Sequence, residues 1–227
     1  MTTAIIQVRL NSRRLYGKAL LNINGTTILE NIILRLKKSK QIKKIIIATS
    51  NKKIDYPLVE FCKKKKILFF AGSLSNVFNR VKKTSRKFKL NCFLRVCADS
   101  PLIDYALIDR CFKKYVNGHF DIVTNKFPRT YPKGQTVEII RVSALYNINE
   151  KKLTKEQKEH FTKYFYDNPD KFKIYNFYSA KQKKNISMAI DNKSNLLFFK
   201  KLIKKYKNKI NDLSLNRLIK IYEKKII

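Results

Sequence analysis

Residues 3–18 read TAIIQVRLNSRRLYGK and join an apolar segment to a basic one. The segment from Thr3 to Val8 is rich in β-branched side chains, which favours a short buried strand. The segment from Arg9 to Lys18 then carries four cations, a serine hydroxyl and a glycine. A strand followed by such a loop is suited to wrapping a chain of phosphates, although a basic surface loop would have the same composition.

The glycine content of this loop excludes two common phosphate-binding motifs. Gly17 is its single glycine, so neither G-x-G-x-x-G nor G-x-x-x-x-G-K-[ST] occurs here. The sequence therefore predicts neither a dinucleotide-binding turn nor a P-loop at this strand end.

Apolar strands alternate with amphipathic helices through the first half of the chain. Thr27 and Glu30 form a Thr-x-x-Glu capping box, and apolar residues recur behind it at helical spacing, which predicts a helix to about Lys38. Short apolar strands separated by such helices indicate βαβ units and a mainly parallel sheet with helices on both faces. The further predicted strands are 44–49, 67–70, 92–96 and 120–124, and the further predicted helices are 55–65, 104–116 and one capped by Ser75.

The pattern changes after Asn125. The stretch FPRTYPKGQTVEII at 127–140 predicts a turn-rich hairpin, and Thr154-x-x-Gln157 caps a helix to about residue 166. We therefore expect an α/β protein with a single domain, 1–227, in which residues 125–179 form a small, inserted, hairpin-rich lobe. The remaining predicted elements are strands at 172–178 and 186–190, a helix at 192–205 and a terminal helix from Ser214.

The composition combines a large hydrophobic fraction with a strong excess of positive charge. The 227 residues are 44% hydrophobic, enough to fill a core, while 51 Lys or Arg against 16 Asp or Glu give a net charge of +35. Forty of the cations are Lys, spread over almost every predicted helix, whereas dedicated nucleic-acid readers concentrate Arg and exposed aromatics. A solvated lysine surface is therefore favoured, and a nucleic-acid-binding protein is the alternative.

Cysteine and histidine usage argues against zinc sites and disulfides. The four cysteines show no C-x-x-C spacing and the chain has two histidines, so neither a zinc site nor a disulfide framework is predicted. No apolar stretch approaches the roughly 20 residues that cross a bilayer, and the N-terminus lacks the features of a secretory signal. We therefore expect a cytoplasmic protein without a membrane partner.

Two carboxylates follow predicted strands, at the sheet edge where open parallel sheets bind ligands. Asp99 follows the strand 92–96, where it either initiates a turn before Ser100 and Pro101 or helps to hold Mg²⁺. Asp191 follows the late predicted strand, where it either caps the next helix or acts as a second metal ligand. The residues alone leave both pairs of interpretations open.

Four stretches of the chain carry a family resemblance: IIQVRLNSRRLYGKALL (5–21), AGSLSNVFNR (71–80), RVCADSPLIDYALID (95–109) and AIDNKSNLLFFKKL (189–202). Taken in this order, they resemble a known family of cytidylyltransferases, the spore-coat polysaccharide biosynthesis protein F family. More distantly they are similar to the CMP-sugar-acid synthetases for sialic acids and ketodeoxyoctonate. The resemblance implies a Rossmann-like, three-layer nucleotidyltransferase fold. It also implies transfer of CMP from CTP to a sugar acid or other small acceptor, with release of pyrophosphate, in surface polysaccharide or glycoconjugate biosynthesis.

The resemblance also assigns site residues, position by position. It implies that the basic loop grips the CTP triphosphate, that Mg²⁺ is the cofactor, and that two chains pair through residues 125–179 as a homodimer. Catalysis would rest on Arg9, Lys18 and Asp99, and the metal ligands would be Asp99 and Asp191. The implied nucleotide-binding residues are Arg9, Ser12, Arg14, Lys18, Gly72, Ser73, Arg80 and Asp99, and the implied acceptor-binding residues are Tyr131, Gln135, Glu138 and His160.

A glycosyltransferase that uses a nucleotide sugar on a similar α/β sheet is a second alternative, because one architecture hosts many chemistries. That class usually carries a D-x-D pair near its metal, and no such pair occurs near Asp99. The basic loop therefore favours the cytidylyltransferase interpretation.

Overall fold

A seven-stranded sheet forms the centre of the computed structural model, which describes residues 1–12 and 14–224. Its strand order is β5-β4-β1-β6-β8-β7-β9, and β2 and β3 form a separate two-stranded hairpin. The strands are β1 (Thr2–Gln7), β2 (Asn22–Ile23), β3 (Thr26–Thr27), β4 (Ile42–Ser50), β5 (Leu68–Gly72), β6 (Cys92–Cys97), β7 (Ile122–Thr124), β8 (Glu138–Arg141) and β9 (Ile174–Asn176).

The strand directions place the ends of the central strands together. Strand β1 is parallel to both neighbours, and its last residue, Gln7, pairs with Ala48 of β4 and with Cys97 of β6. Strand β8 is antiparallel to β6 and to β7, so it alone runs against the other strands of the seven-stranded sheet that the structure describes. The loops after β1 and β6 therefore leave the sheet side by side.

Helices cover both faces of the sheet, which confirms the three-layer α/β fold expected from the sequence. One apolar core packs α1, α2, α4, α8 and α9 against one face, and a second packs α3, α5 and α7 against the other. The helices are α1 (Ile28–Lys37), α2 (Tyr56–Lys64), α3 (Val77–Lys87), α4 (Tyr105–Val116), α5 (Val142–Tyr146), α6 (Lys155–Glu159), α7 (Thr162–Asp167), α8 (Lys193–Tyr206) and α9 (Leu215–Lys224).

Local signals located most of these elements correctly. The capping boxes at Thr27 and Thr154 are both formed, and Asp104 caps α4 by accepting a hydrogen bond from Leu107 N. The cap of α3 is Asn76 rather than the predicted Ser75, since the Asn76 side chain accepts from Asn79 N. The helix predicted from Thr154 to residue 166 is divided into α6 and α7.

Two expectations after Asn125 need correction. Strands β8 and β9 lie within the main sheet, so residues 125–179 supply part of the central layer as well as surface helices. The predicted hairpin at 127–140 therefore becomes a loop that leads into β8. The predicted strand at 186–190 makes one isolated bridge, from Ser187 to Lys133, because its backbone bonds to loops rather than to a sheet strand.

In the described part of the chain, no helix has both the length and the apolar character needed to cross a membrane.

Candidate active site

A cavity of about 1120 Å³ opens at the carboxyl ends of β1 and β6. This is the edge at which parallel α/β sheets bind ligands, because the strand-to-helix loops converge there. Seven of the side chains implied by the sequence resemblance line it: Arg9, Ser12, Arg14, Lys18, Asp99, His160 and Asp191.

The basic loop folds back on itself at the cavity mouth. The backbone N–H groups of Ser12 and Gly17 both donate to the Leu10 carbonyl, at 2.7 and 3.0 Å. Gly17 has a φ of 67°, a left-handed conformation that glycine adopts without steric cost. The loop is anchored from below by the fully buried Asp55, whose Oδ1 accepts from Leu10 N at 2.6 Å. The tight turn holds the cations of the loop at the cavity; Arg13 lies outside the described residues.

The loop that ends at Asp191 is tied to the loop that carries Asp99. Ile190 N donates to the Asp99 carbonyl at 2.8 Å, and Met188 N donates to the Lys133 carbonyl at 2.8 Å. The second contact requires a glycine at 134, because a Cβ there would lie 2.7 Å from Ala189 N. Residues 186–190 are thus held between two loops, and both carboxylates line one cavity.

Asp191 lies among cations. Arg14 Nη2 is 3.3 Å from its Oδ1, Lys133 Nζ is 2.5 Å from its Oδ2, and Lys18 Nζ donates to the Ile190 carbonyl at 2.6 Å. Burial alone would raise the pKa of Asp191, but the nearby Lys133, Lys18 and Arg14 outweigh burial and lower it. The capping alternative does not apply, because the cap of α8 is Asn192. Asp191 therefore presents an ionised carboxylate to the cavity.

The two carboxylates suit a magnesium ion that also binds a phosphate. Asp99 accepts a hydrogen bond from Ser100 Oγ at 2.8 Å. Within residues 1–12 and 14–224, no group of three or more His, Cys, Asp or Glu side chains is placed to hold a metal. Mg²⁺ commonly takes one or two carboxylates and completes its coordination with water and substrate phosphate. Asp99 and Asp191 fit that donor set. They do not fit a closed metal site, in which protein side chains would supply all of the ligands.

Helix α6 forms the opposite wall of the cavity. The Arg9 guanidinium donates to both carboxylate oxygens of Glu159 and, at 3.4 Å, to the Leu74 carbonyl. Lys155 and Lys158 line the same wall, and neither forms an ion pair with another described residue. Sequence reasoning missed both lysines, although their spacing of three residues on a capped helix places them on one helical face.

Gly72, Ser73 and Arg80 support the cavity without lining it. Arg80 is buried, and its Nη1 donates to the carbonyls of Ser73 and Leu74 at 2.5 and 3.4 Å. Burial first, and the nearby Arg9 second, lower the pKa of Arg80 to about 10. Arg80 thus holds the loop after β5 in place. Residues 74–76 of that loop line the cavity.

Tyr131, Gln135 and Glu138, assigned to the acceptor by resemblance, are buried in the fold and do not line the cavity. The Tyr131 hydroxyl donates to the Tyr178 carbonyl at 3.1 Å and accepts from Arg110. The acceptor assignment of these three residues does not match their burial, because their polar side-chain atoms already form hydrogen bonds within the protein.

Gln135 and Glu138 instead support the loops that form the site. Gln135 Nε2 donates to the Leu102 carbonyl at 2.7 Å and its Oε1 accepts from Asp104 N at 2.9 Å, which braces the loop after Asp99. Glu138 accepts from Arg95 and from the Tyr166 hydroxyl.

Comparison with known proteins decides the family. The family model described as cytidylyltransferase matches residues 3–226. The chain belongs to the cytidylyltransferase family. The spore coat polysaccharide biosynthesis protein SpsF of Bacillus subtilis is 28% identical over 176 residues, which cover 75% of this chain and 72% of that protein. Both findings confirm the resemblance read from the sequence, and they favour a cytidylyltransferase over a glycosyltransferase or a nucleic-acid-binding module.

Solved structures agree with this cytidylyltransferase in fold. A cytidylyltransferase from Leptospira borgpetersenii superposes with a TM-score of 0.91 at 26% identity, over 99% of this chain and 94% of that one. A CMP:2-keto-3-deoxy-manno-octonic acid synthetase, solved in complex with CTP, superposes with a TM-score of 0.67 at 15% identity, over 90% of this chain and 98% of that one. The second likeness concerns the fold alone.

The buried pair of Glu138 and Arg95 predicts that this cytidylyltransferase loses stability at acid pH. Burial would raise the pKa of Glu138, but Arg95 first, then Lys126 and hydrogen bonds, outweigh burial and lower the pKa to about 2. A carboxyl whose pKa is lowered by folding stabilises the protein above its unfolded pKa, and that stabilisation is lost as the pH falls towards the folded value. We therefore expect the free energy of unfolding in urea to decrease between about pH 5 and pH 2.

The matched variant Glu138→Gln removes this titration. At neutral pH it should lower the free energy of unfolding by about 3 kcal/mol, because it leaves Arg95 buried without its counter-charge. Its stability should then change less between neutral and acid pH than that of the wild type. Equal acid sensitivity in both proteins would show that Glu138 does not carry the effect.

Proposed function

We propose that this cytidylyltransferase transfers CMP from CTP to a small acidic acceptor, with release of pyrophosphate. The observation that carries the proposal is the convergence of the Asp99 and Asp191 carboxylates on the same cavity as Arg14 and Lys18. A set of fixed cations beside two carboxylates is what a nucleoside triphosphate with Mg²⁺ requires. The CTP bound to the synthetase of the same fold supports the choice of nucleotide.

The residues of the cavity would act by positioning and by neutralising charge. A hydroxyl oxygen of the acceptor attacks the α-phosphorus in line and its proton passes to solvent, while the bond from that phosphorus to the bridging oxygen breaks and pyrophosphate leaves. Arg14 and Lys18 bind the β- and γ-phosphates and stabilise the negative charge that develops on the leaving group. Ser12 and Arg9 complete the grip on the phosphate chain, and Arg9 exchanges its contact with Glu159 for one with the nucleotide.

A magnesium ion held by Asp99 and Asp191 would neutralise phosphate charge and polarise a phosphoryl oxygen. Ion pairing with Lys133 and Arg14 keeps Asp191 ionised, which is the form of a carboxylate that binds a cation. Magnesium dependence is therefore part of the proposal.

The acceptor in this proposal is a sugar acid or a similar small anion. Lys155, Lys158 and His160 face the cavity from α6, and the two lysines have no carboxylate partner among the described residues. Unpaired cations on a cavity wall favour a negatively charged ligand. The similarity to SpsF supports a role in surface polysaccharide biosynthesis. The homodimer and the cytoplasmic location expected from the sequence stay predictions.

A pyrophosphate-release assay tests the function directly. The purified chain would be supplied with each of CTP, UTP, ATP and GTP, together with 2-keto-3-deoxy-manno-octonic acid, N-acetylneuraminic acid and small phosphorylated or phosphonate acceptors. We expect pyrophosphate only with CTP, only with an acidic acceptor and only with Mg²⁺. Chelation by EDTA should abolish release, and excess Mg²⁺ should restore it.

The rival activities give different results in the same assay. A glycosyltransferase would consume a nucleotide sugar and release no pyrophosphate from CTP. A nucleic-acid-binding protein would bind duplex or single strands with an affinity that falls steeply with salt and does not depend on CTP. Either result, with no release from CTP, would overturn the proposal.

A further inference from the structure

Gln7 is a polar residue that lines the cavity and that the proposed chemistry does not use. It is the last residue of β1 and pairs in the sheet with Cys97, and both line the cavity. Its Nε2 is shielded from solvent and has no hydrogen-bond partner within residues 1–12 and 14–224. A buried amide N–H group without a partner costs free energy, and a small movement of the Gln7 side chain towards the cavity would give this donor an acceptor on a ligand.

The orientation of the Gln7 amide follows from its neighbour. Arg95 Nε lies 3.1 Å from Gln7 Oε1, and a guanidinium can only donate. The amide atom that faces Arg95 must therefore be the oxygen, which leaves the NH₂ group directed away from Arg95. With its oxygen already occupied, Gln7 offers a ligand a donor.

Arg95 is itself held rigidly. It donates to Glu138, which is fully buried and also accepts from the Tyr166 hydroxyl at 2.6 Å. The Arg95 guanidinium lies 5.6 Å from the centre of the Phe161 ring. Because Glu138 and Phe161 fix Arg95, and Arg95 bonds the Gln7 oxygen, the NH₂ group of the amide is selected as the free donor before any ligand binds.

The face of β1 on which Gln7 lies indicates which substrate it meets. Alternate residues of a strand point to opposite faces, so Gln7 shares a face with Ile5, which belongs to the core packed by α3, α5 and α7. Helix α6 packs against α3, so Gln7 lies on the α6 side of the cavity, where Lys155 and Lys158 are free of ion pairs with described residues. An acidic acceptor fits beside Lys155 and Lys158, whereas the triphosphate belongs along the basic loop from Arg9 to Lys18 and beside Asp191.

We propose that Gln7 is a specificity-determining residue that donates a hydrogen bond from Nε2 to an oxygen of the acidic acceptor. Arg95 and Glu138 are positioning residues that hold the Gln7 amide in its donating orientation. This inference rests on the proposed function, and it adds the residue that recognises the acceptor. The matching ligand group is a carboxylate or phosphoryl oxygen, which accepts hydrogen bonds without donating one.

The variant Gln7→Glu tests the donor with little change of shape. Its carboxylate can still accept from Arg95, so the fold keeps that contact, but the outward atom becomes a negatively charged acceptor. Loss of a hydrogen bond to a charged group should raise the KM for the acceptor by about ten- to a hundredfold. The acceptor used is the panel acid with the fastest turnover, and the Kd for CTP, measured by calorimetry, should stay unchanged.

Gln182→Glu is the matched control, because it makes the same chemical change at an exposed residue outside the cavity lining. Its KM for the acceptor should equal that of the wild type. A normal acceptor KM in Gln7→Glu, or a weaker CTP affinity with the acceptor KM unchanged, would overturn the inference. Failure of the wild type to bind CTP would instead refute the proposed function, so the two failures are distinct.

Arg95→Lys tests the positioning role. Lysine lacks the planar fork of arginine and cannot bond Gln7 and Glu138 with the same geometry. We expect the acceptor KM to rise in this variant while the CTP Kd is unchanged, which general damage to the fold would not produce. Gln7→Met, which keeps the length of the side chain but has no donor, gives a second measurement if Arg95→Lys folds poorly. An unaltered acceptor KM in Gln7→Met would contradict the assignment.

Discussion

Replacement of Asp99 by asparagine should slow pyrophosphate release from CTP by about two to three orders of magnitude, because it removes one of the two proposed ligands of a magnesium ion that would stabilise charge on the transferred phosphate. The substitution leaves the shape of the side chain unchanged. The Asp99 carbonyl still accepts from Ile190 N, so the two loops stay joined. The turnover number at saturating CTP and Mg²⁺ measures the effect.

Asp170→Asn is the matched control for that experiment, since Asp170 is exposed and lies outside the cavity. It should leave turnover and stability at wild-type values. Thermal unfolding of Asp99→Asn should also match that of the wild type, which separates lost catalysis from lost structure. Normal Mg²⁺-dependent turnover in Asp99→Asn would remove the metal assignment.

Replacement of Lys18 by alanine should weaken the binding of CTP by about ten- to a hundredfold, the effect expected when a charge-assisted hydrogen bond to a phosphate is lost. In the described structure the Lys18 ammonium is held at the cavity by the Ile190 carbonyl, at 2.6 Å. A lysine held in this way loses little further side-chain entropy when the triphosphate arrives. Calorimetric titration with CTP in the presence of Mg²⁺ measures the change in Kd.

Lys184→Ala provides the control for charge alone. Lys184 is exposed and does not line the cavity, so its loss changes the net charge equally without touching the site. CTP affinity should be unaffected in this variant. If Lys18→Ala bound CTP as tightly as Lys184→Ala does, the basic loop would not be the triphosphate site.

The first half of the fold could be predicted because its signals are local. The capping box at Thr27 and the apolar repeat behind it lie within a few residues of one another, and the structure confirms that helix. The sequence predicted Ser75 as the cap of α3, and the structure has Asn76 instead. Both side chains are good caps, and the periodicity of the helix does not choose between neighbouring residues.

The second half was harder because its decisive contacts are distant in sequence. Strand β8 looked like part of a hairpin, yet its partners are β6 and β7, and it enters the main sheet between them. The segment 186–190 has the composition of a strand, but Ile186 and Met188 bond to Lys133 in a loop. Neither arrangement is visible in the local pattern of apolar residues.

The candidate site shows the same difference between what local sequence signals predict and what distant contacts decide. The loop cations and the two aspartates were found from residue type and position after strands, and the structure brings Asp99 and Asp191 to one cavity. Glu138 was assigned to the acceptor, but the structure buries it against Arg95. A sequence does not distinguish a carboxylate that faces a cavity from one that is paired in the interior.

By itself the sequence determined the alternation of strands and helices, most helix starts and the chemistry of the loop from Arg9 to Lys18, because each depends on residues within a few positions. The tertiary structure alone decided that Ile190 N reaches the Asp99 carbonyl, and that Arg95 connects Glu138 to Gln7. Those contacts join residues from 43 to 91 positions apart in the chain. They form only when burial of the two apolar cores brings the strands into register, which no local pattern specifies.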